Sequence, residues 1–271
     1  MLFVRVYLSI VVFLVIVLVI LTTLVYHRTS NESASIVMLG DSDNSDSQIS
    51  KIPELLEIID QIIYINLASR VDRRKKIEGL LTACGIPADK ITRLDAIDRE
   101  QQRPLTRSII GAETEIQMNE GALGCTWSHI HVLEMAKNRK WKKILIIEDD
   151  VEPLSTPKQF VKDLVRGLRS TAEYDVLMVG WNVAPPKNGP EYTGITSRSR
   201  DIQTTSAYVI GEDFYDTLKN DFIKAVLRQV PLDVHWWGLQ QNSRFYVFTP
   251  RILKQSADYS DIEGIHTNYG V

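Results

Sequence analysis

Three consecutive acids, Glu148, Asp149 and Asp150, follow an apolar run at residues 144–147. Four aliphatic residues, three of them β-branched, predict a strand that is buried on both faces. An ionised carboxylate is costly to bury without a partner, so the strand must surface where the acids begin. Ligands of open α/β sheets bind at the carboxyl ends of the strands. The acids therefore predict a ligand site, and their mutual repulsion favours a hard divalent cation. The alternative is a solvated acidic turn.

A cluster of arginines follows a second apolar run, at residues 61–67. The pattern predicts a strand, a tight turn and a helix with Ser69 as its N-cap. Arg70, Arg73 and Arg74 lie at this turn, where backbone N–H groups and the planar guanidinium fork suit a phosphate. Cations at a helix N-terminus oppose the helix dipole, which favours an anionic ligand over the alternative that they only solvate the first turn.

A glycine-bearing turn opens a predicted helix at residues 121–141, directly before the acid-ended strand. Ser128, His129 and His131 lie in its first turns. Two histidines two residues apart do not share a helix face, so a two-histidine metal site is not expected. Ser128 and His129 are either structural, as a capping serine and a hydrogen-bonded histidine, or they position a substrate.

Strands alternate with helices along the rest of the chain, which predicts an α/β fold with a largely parallel sheet. Residues 99–120 are polar and weakly patterned, and we expect a loop or an irregular surface there. The other predicted strands are residues 91–97, 174–180, 204–210 and 244–249, and the other predicted helices are residues 70–84, 157–169 and 212–227.

The composition is that of an ordinary globular protein: of 271 residues, 44% are hydrophobic and 24% are charged. The net charge of −3 and the lack of a basic tract argue against nucleic acid as a partner. Two cysteines, Cys84 and Cys125, are too few for a disulfide scaffold, and we expect two free, buried thiols.

Residues 6–26 form an uncharged apolar stretch that is long enough to cross a bilayer as one helix. The stretch is longer than the apolar region of a cleaved signal peptide, so residues 1–28 are predicted to be a signal anchor with a cytoplasmic N-terminus. Residues 29–51 are rich in Ser, Asp and Asn and predict a flexible stem. A glycosylation sequon at Asn31 supports a lumenal stem, and residues 52–271 form the predicted folded domain.

Several blocks together resemble glycosyltransferase family 25, which contains the lipooligosaccharide and procollagen galactosyltransferases. They occur in the family's order, and the G-x-x-G-C-x-x-S-H pattern followed by E-D-D is the most specific of them. The blocks are IYINLASRVDRR at 63–74, RLDAID at 93–98, GALGCTWSHIHVLEMA at 121–136, ILIIEDDVEP at 144–153, TTSAYVI at 204–210, PLDVHWW at 231–237 and TPRILKQSADYSDI at 249–262.

The resemblance implies a GT-A-type fold, with a Rossmann-like, mixed and mostly parallel sheet flanked by helices. It implies an inverting transfer of a hexose, typically galactose, from a UDP-sugar with the help of a divalent cation such as Mn²⁺. The predicted metal ligands are Asp150, Glu148 and His266, with His235 as a further candidate. The predicted donor-binding residues are Asn66, Arg70, Arg73, Ser128 and Glu148.

Inversion needs a carboxylate that takes the proton of the acceptor hydroxyl. Asp233 is the candidate base, or alternatively a further metal ligand, and Asp149 would flank the donor sugar. Trp181, Trp236 and Trp237 either stack on sugar faces or belong to the core or its rim.

Two other classes remain open at the level of sequence. One is a catalytically silent, membrane-anchored ectodomain that binds nucleotide sugars or glycans, and the other is a different metal-dependent, phosphate-processing enzyme. The acceptor is open as well: it can be a glycan, a protein or a lipid-linked sugar.

Ala122 and Leu123 stand where family members often carry an acid, which leaves the donor sugar open. The predicted anchor points to the Golgi or endoplasmic reticulum lumen, in a eukaryotic or viral context.

Overall fold

The computed structural model describes residues 51–171, 173–182 and 194–267. Residues 51–271 form one compact unit. Within the described ranges, no helix combines the length and the apolar character that a membrane span requires. The predicted signal anchor and almost all of the predicted stem lie outside the described residues, so both stay predictions.

The described part of the chain contains eight α-helices, one 3-10 helix at Ala88–Lys90 and eleven short strands. The helices are α1 Ile52–Ile58, α2 Val71–Ala83, α3 Gln102–Ile110, α4 Glu120–Arg139, α5 Pro157–Ser170, α6 Glu212–Arg228, α7 Leu232–His235 and α8 Trp237–Asn242. The strands are β1 Gln61–Asn66, β2 Ile91–Asp95, β3 Lys143–Glu148, β4 Val151–Pro153, β5 Val176–Met178, β6 Thr196–Arg198, β7 Ala207–Gly211, β8 Phe245–Phe248, β9 Leu253–Gln255, β10 Asp258–Ser260 and β11 Ile265–Thr267.

Seven of these strands form the central sheet, in the order β2-β1-β3-β7-β5-β8-β6. β2, β1, β3, β5 and β8 run in one direction, while β7 and β6 run against them. The predicted mixed and mostly parallel sheet is therefore confirmed. In the register of the parallel strands, Ile65 of β1 pairs with Glu148 of β3, and Asn66 pairs with Asp95 of β2. The carboxyl ends of three neighbouring strands thus meet at one edge.

The sheet is covered on both faces, as the unbroken apolar runs of β1 and β3 predict. On one face, Ile63 and Ile146 pack with side chains of α4 and α6. On the other face, Tyr64 and Leu145 pack with side chains of α2 and α5. Successive residues of a strand alternate between these two faces, which decides where the side chains at the ends of β1 and β3 point.

Helix α4 carries the glycine-bearing motif into the sheet. The Oδ1 of Asn119 accepts hydrogen bonds from the backbone N–H groups of Gly121 and Ala122 and so caps the helix. Gly124 lies so close to the turn after β2 that a Cβ added there would lie 2.4 Å from the carbonyl oxygen of Ile97. The absence of a side chain at this position allows α4 to approach the sheet edge.

The predicted loop at residues 99–120 is wrong in part, because α3 occupies its middle. The helix ends at Gly111, which has φ +95 as its C-cap. Gln102 and Thr106 are fully buried, and the indole Nε1 of Trp127 donates to the Oγ1 of Thr106 at 3.0 Å. These buried polar residues interrupt the apolar stripe that sequence periodicity relies on.

The predicted N-cap of α2 is also wrong. Arg70 occupies the N-cap position, and no side chain caps the helix. Asp72, the expected capping-box partner, instead pairs with the guanidinium of Arg70. The carboxylate of Asp72 therefore holds the guanidinium of Arg70 instead of forming a capping box with Ser69.

We predict that Gly124→Ala destabilises the protein by roughly 1–3 kcal/mol, because the new methyl group must push α4 away from the Ile97 carbonyl. Gly79→Ala is the matched control, since α2 leaves open space around that position. The free energy of unfolding of the control should be unchanged or rise by up to about 1 kcal/mol, because Ala has a better helix propensity than Gly. Urea denaturation measures both, and equal stability of the Gly124 variant and the wild type would contradict the prediction.

Candidate active site

A cavity of about 430 Å³ opens beside the carboxyl ends of β1 and β3. Its wall combines the acids after β3, the turn after β2, the start of α4 and the tail of the chain. The lining residues are Ile65, Leu67, Ser69, Arg73, Ala96, Ile97, Asp98, Arg99, Glu100, Gly121, Cys125, Ser128, His129, Glu148, Asp149, Asp150, Gln255, Ser260, Asp261 and Ile262.

Glu148 points toward helix α4. Its Oε1 lies 3.2 Å from the Nε2 of His129 and accepts a hydrogen bond of 2.7 Å from the Oγ1 of Thr205. The Nδ1 of His129 lies 2.9 Å from the hydroxyl of Tyr208. Burial acts to raise the pKa of Glu148, but the hydrogen bond and charge of His129, together with Thr205, outweigh it and lower that pKa. This environment favours an ionised carboxylate.

Asp149 points to the opposite face, toward α2. The amide Nδ2 of Asn66 donates to its Oδ2 at 2.6 Å, and the Nη1 of Arg73 lies 3.3 Å from its Oδ1. Burial raises the pKa of Asp149, and the contacts with Asn66 and Arg73 offset part of that rise. Both oxygens are engaged by the protein itself, so this carboxylate is held in place.

Asp150 is the least satisfied of the three acids. Its Oδ1 is buried without a hydrogen-bond partner among the described residues, and its Oδ2 lies 3.7 Å from the Nη1 of Arg73. Burial, followed by the charge of Glu148, raises the pKa of Asp150 to about 7 although Arg73 acts against this. A buried carboxylate oxygen that lacks a partner, next to a second carboxylate, fits the ligand chemistry of a hard divalent cation.

The two predicted phosphate-binding arginines, Arg70 and Arg73, are held by the tail of the chain. Arg70 donates to the carboxylate of Asp261, and Asp258 lies 3.6 Å from each guanidinium. Arg73 also donates to the carbonyl oxygen of Tyr259. The antiparallel pair of β10 and β11 is therefore bound to the arginine turn through ion pairs.

Arg74 belongs elsewhere, because it is exposed and pairs with Glu78 at 2.9 Å. Ser128 lines the cavity, and its Oγ accepts from the N–H of Ile97 and donates to the carbonyl of Gly124, so its role in donor binding stays a prediction. His131 packs edge-on against Trp127. Of the arginines at the turn, Arg73 lines the cavity and Arg74 does not.

The predicted base Asp233 lies on α7, with one oxygen 3.4 Å from the backbone N–H of Thr204. It does not line the cavity of the described chain. Burial, which acts more strongly than the charge of Glu148, raises the pKa of Asp233. His235 faces Asp221 at 3.6 Å, and His266 is exposed on β11 against the ring of Tyr259. The roles of Asp233, His235 and His266 stay predictions.

The three tryptophans make structural contacts through their indole N–H groups. Trp236 is fully buried, and it and Trp237 both donate to the carbonyl oxygen of Ile202. Trp181 donates to the carbonyl oxygen of Phe248 at 2.8 Å. These contacts favour the interpretation of the tryptophans as core or rim residues.

Sequence reasoning did not single out several residues of the site. Thr205 and Tyr208 hold Glu148 and His129, and the Nη2 of Arg99 donates to the carbonyl of Asp261 at 2.8 Å. Cys125 lines the cavity as a free thiol, as Cys84 is free in the core. The available signal was that Thr205, Tyr208 and Cys125 all lie in blocks that carry the resemblance to the family.

Residues 59–182 match the family described as "Glycosyltransferase family 25 (LPS biosynthesis protein)". A "Glycosyltransferase 25 family member" from Drosophila melanogaster is 30% identical over 139 residues, and one from Drosophila pseudoobscura pseudoobscura is 31% identical over 141 residues. These matches show that this segment is similar to glycosyltransferase family 25. The alignments cover 49% and 48% of this chain, but only 23% and 22% of the relatives.

Two solved structures show weaker likeness. A mannose-1-phosphate geranyltransferase from Thermus thermophilus has a TM-score of 0.39 at 10% identity, with 72% of this chain and 73% of that chain covered. A glycosyltransferase involved in the glycosylation of the major capsid of PBCV-1 has a TM-score of 0.42 at 10% identity, with 75% and 95% covered. TM-scores at this level do not establish a shared fold.

We predict that Asp150 makes the protein less stable as the pH rises from about 4 to 7. The carboxyl titrates near 3.9 when unfolded and at about 7 when folded, so the folded state binds more protons in this window. In EDTA, the free energy of unfolding of the wild type should therefore fall by roughly 1–4 kcal/mol more than that of Asp150→Asn as the pH rises across this window. Urea denaturation at several pH values measures this difference.

Asp89→Asn is the control for that series, because Asp89 is exposed. It should keep the pH dependence of the wild type. Parallel stability curves for the wild type and the Asp150 variant would show that Asp150 does not carry the effect.

Proposed function

We propose that this chain is an inverting hexosyltransferase of the GT-A type, which moves a hexose, galactose in the first instance, from a UDP-sugar to a hydroxyl group of a glycan, protein or lipid-linked acceptor. The observation that carries the proposal is the buried, unpartnered oxygen of Asp150 beside Glu148 and Arg73 in the wall of the cavity that the described residues form. The similarity of residues 59–182 to glycosyltransferase family 25 supports the same reaction class.

Asp150 and Glu148 would hold a divalent cation such as Mn²⁺. Carboxylate oxygens are its preferred ligands. The contacts with His129 and Thr205 both use the Oε1 of Glu148, so Oε2 would bind the cation. When bound, the cation offsets the negative charge that develops on the leaving diphosphate. His266 would have to join this set from the exposed strand β11.

Arg70 and Arg73 would bind the diphosphate of the donor. Both guanidinium groups are already arranged around anions, namely the carboxylates of Asp258 and Asp261. Two oxygens of a phosphate can pair with the planar guanidinium in a bidentate way, as two carboxylate oxygens do. The donor would therefore compete with the tail for these two arginines.

Asp233 would act as the base. The carboxylate of Asp233 takes the proton of the acceptor hydroxyl while the acceptor oxygen bonds to C1 of the hexose, and the bond from C1 to the β-phosphate oxygen breaks to release UDP with inversion. Burial raises the pKa of Asp233, which strengthens it as a base. Asp149, held by Asn66 and Arg73, would flank the donor sugar and keep Arg73 in position.

We predict that the purified full-length chain releases UDP from a UDP-sugar in the presence of Mn²⁺ and an acceptor, and that Asp150→Ala lowers this rate by at least roughly 100-fold. A panel of UDP-sugars, with mass spectrometry of the product, identifies the donor and the new glycoside. Asp89→Asn serves as the exposed control. Full activity in EDTA or in the Asp150 variant would disprove the metal role.

The same panel separates the alternative classes. A silent binding ectodomain would bind UDP-sugar without turnover, and another phosphate-processing enzyme would release phosphate or nucleotide without forming a glycoside. Either result would refute the proposed transfer.

We predict that Asp233→Asn lowers kcat by roughly 100- to 10,000-fold, the usual contribution of a general base, while the KM for the UDP-sugar changes little. The amide preserves the size of the side chain but cannot accept the proton. Steady-state kinetics with a fixed acceptor measures both constants. If the KM for the UDP-sugar instead rises by as large a factor as kcat falls, the alternative in which Asp233 is a metal ligand is favoured.

A further inference from the structure

The geometry points to a binding site for a borderline-soft divalent cation of the zinc type, formed by Cys125, His129 and Glu148. One donor atom from each residue, the sulfur, a ring nitrogen and a carboxylate oxygen, lies within 4.8 Å of the other two. All three residues line the cavity. The site differs in its donor chemistry from the oxygen-only pair of Asp150 and Glu148, and it does not depend on the proposed sugar transfer.

The fold brings these three donors together from two elements. Cys125 and His129 are four residues apart on α4 and therefore share one face of the helix. Glu148 ends β3 on the same side of the sheet. Helix α4 can lie this near to the sheet edge because Gly124 has no side chain. The site is thus built from two regular elements of the core.

The groups behind the ligands have the arrangement that metal-binding histidines need. A ligating histidine is oriented by a hydrogen bond at its other ring nitrogen, and a ligating carboxylate is usually hydrogen-bonded as well. Here the hydroxyl of Tyr208 lies 2.9 Å from the Nδ1 of His129, and Thr205 donates to Glu148. His129, Thr205 and Tyr208 are buried, so these contacts are shielded from water.

Binding requires two proton adjustments that these groups allow. Cys125 releases its thiol proton to solvent and binds as a thiolate. The Nε2 of His129 must be free of its proton, so the ring takes the tautomer with the proton on Nδ1. The hydroxyl of Tyr208 can accept as well as donate, and it therefore keeps its contact with Nδ1 in either tautomer.

The donor set selects among cations. Thiolate and imidazole favour Zn²⁺ and its spectroscopic substitute Co²⁺, whereas Mn²⁺ and Mg²⁺ prefer oxygen ligands. Three protein ligands leave a fourth position, and the cavity gives a water or substrate oxygen access to it. Burial, followed by the charges of Glu148, Asp233 and Asp150, raises the pKa of the Cys125 thiol. A bound dication would offset this by stabilising the thiolate.

Titration of the full-length chain with Co²⁺ tests the site without any activity assay. The wild type should develop the charge-transfer absorption of a cobalt–thiolate bond with one equivalent of Co²⁺, and Zn²⁺ but not Mn²⁺ should remove it. Since the chain contains only Cys84 and Cys125, the absorption can be assigned by two variants. Cys125→Ser should lose it, and Cys84→Ser should keep it.

Tyr208→Phe gives a second, independent test, because it preserves the ring and removes only the hydroxyl that orients His129. We expect its Co²⁺ affinity to fall by about 10- to 100-fold. Circular dichroism verifies that each variant is folded. The site is refuted if the wild type shows no thiolate absorption, if Cys125→Ser keeps it, or if folded Tyr208→Phe binds Co²⁺ as tightly as the wild type.

Discussion

The site depends on the ion pairs that the buried guanidinium of Arg73 makes with the surrounding carboxylates. Four carboxylates lie 3.3–3.7 Å from it: those of Asp149, Asp150, Asp258 and Asp261. The two acids that follow β3 could not both remain ionised in their buried positions without a nearby cation. Arginine suits this role because its planar group stays charged and presents several donors in fixed directions. One side chain from α2 thus joins the acids after β3 to the tail of the chain.

The balance of charge at this centre explains why the site is suited to cations as well as to anions. Two guanidinium groups pair with five carboxylates, which are those of Asp72, Asp149, Asp150, Asp258 and Asp261, and the carboxylate of Glu148 lines the same cavity. The excess is negative, and it falls on Asp150, which among the described acids of the site has the fewest partners. A divalent cation would correct the balance inside the site, whereas an anionic ligand must displace carboxylates of the tail to reach the arginines.

The sequence was sufficient for the parts of the fold that depend on local patterns. Apolar runs located β1 and β3, and helical periodicity located α4 and α5, because each buries a continuous face. It failed for α3, whose buried face includes polar residues that pair with one another. It also failed to show that Arg70 binds Asp261, a partner 191 residues away. Residue types alone cannot distinguish a guanidinium that is free to bind phosphate from one that already holds a carboxylate.

The acid triplet shows why adjacent residues of one type can have different chemistry. Alternation along the strand directs Glu148 toward α4 and Asp149 toward α2. Glu148 meets His129 and Thr205, which stabilise its charge, while Asp149 meets Asn66 and Arg73, which fix its position. Asp150 follows the strand and receives too few partners from either side. The same run of acids therefore produces an ionised anchor, a structural brace and an unsatisfied ligand, because α2 and α4 approach this edge of the sheet from opposite faces and offer each acid a different set of partners.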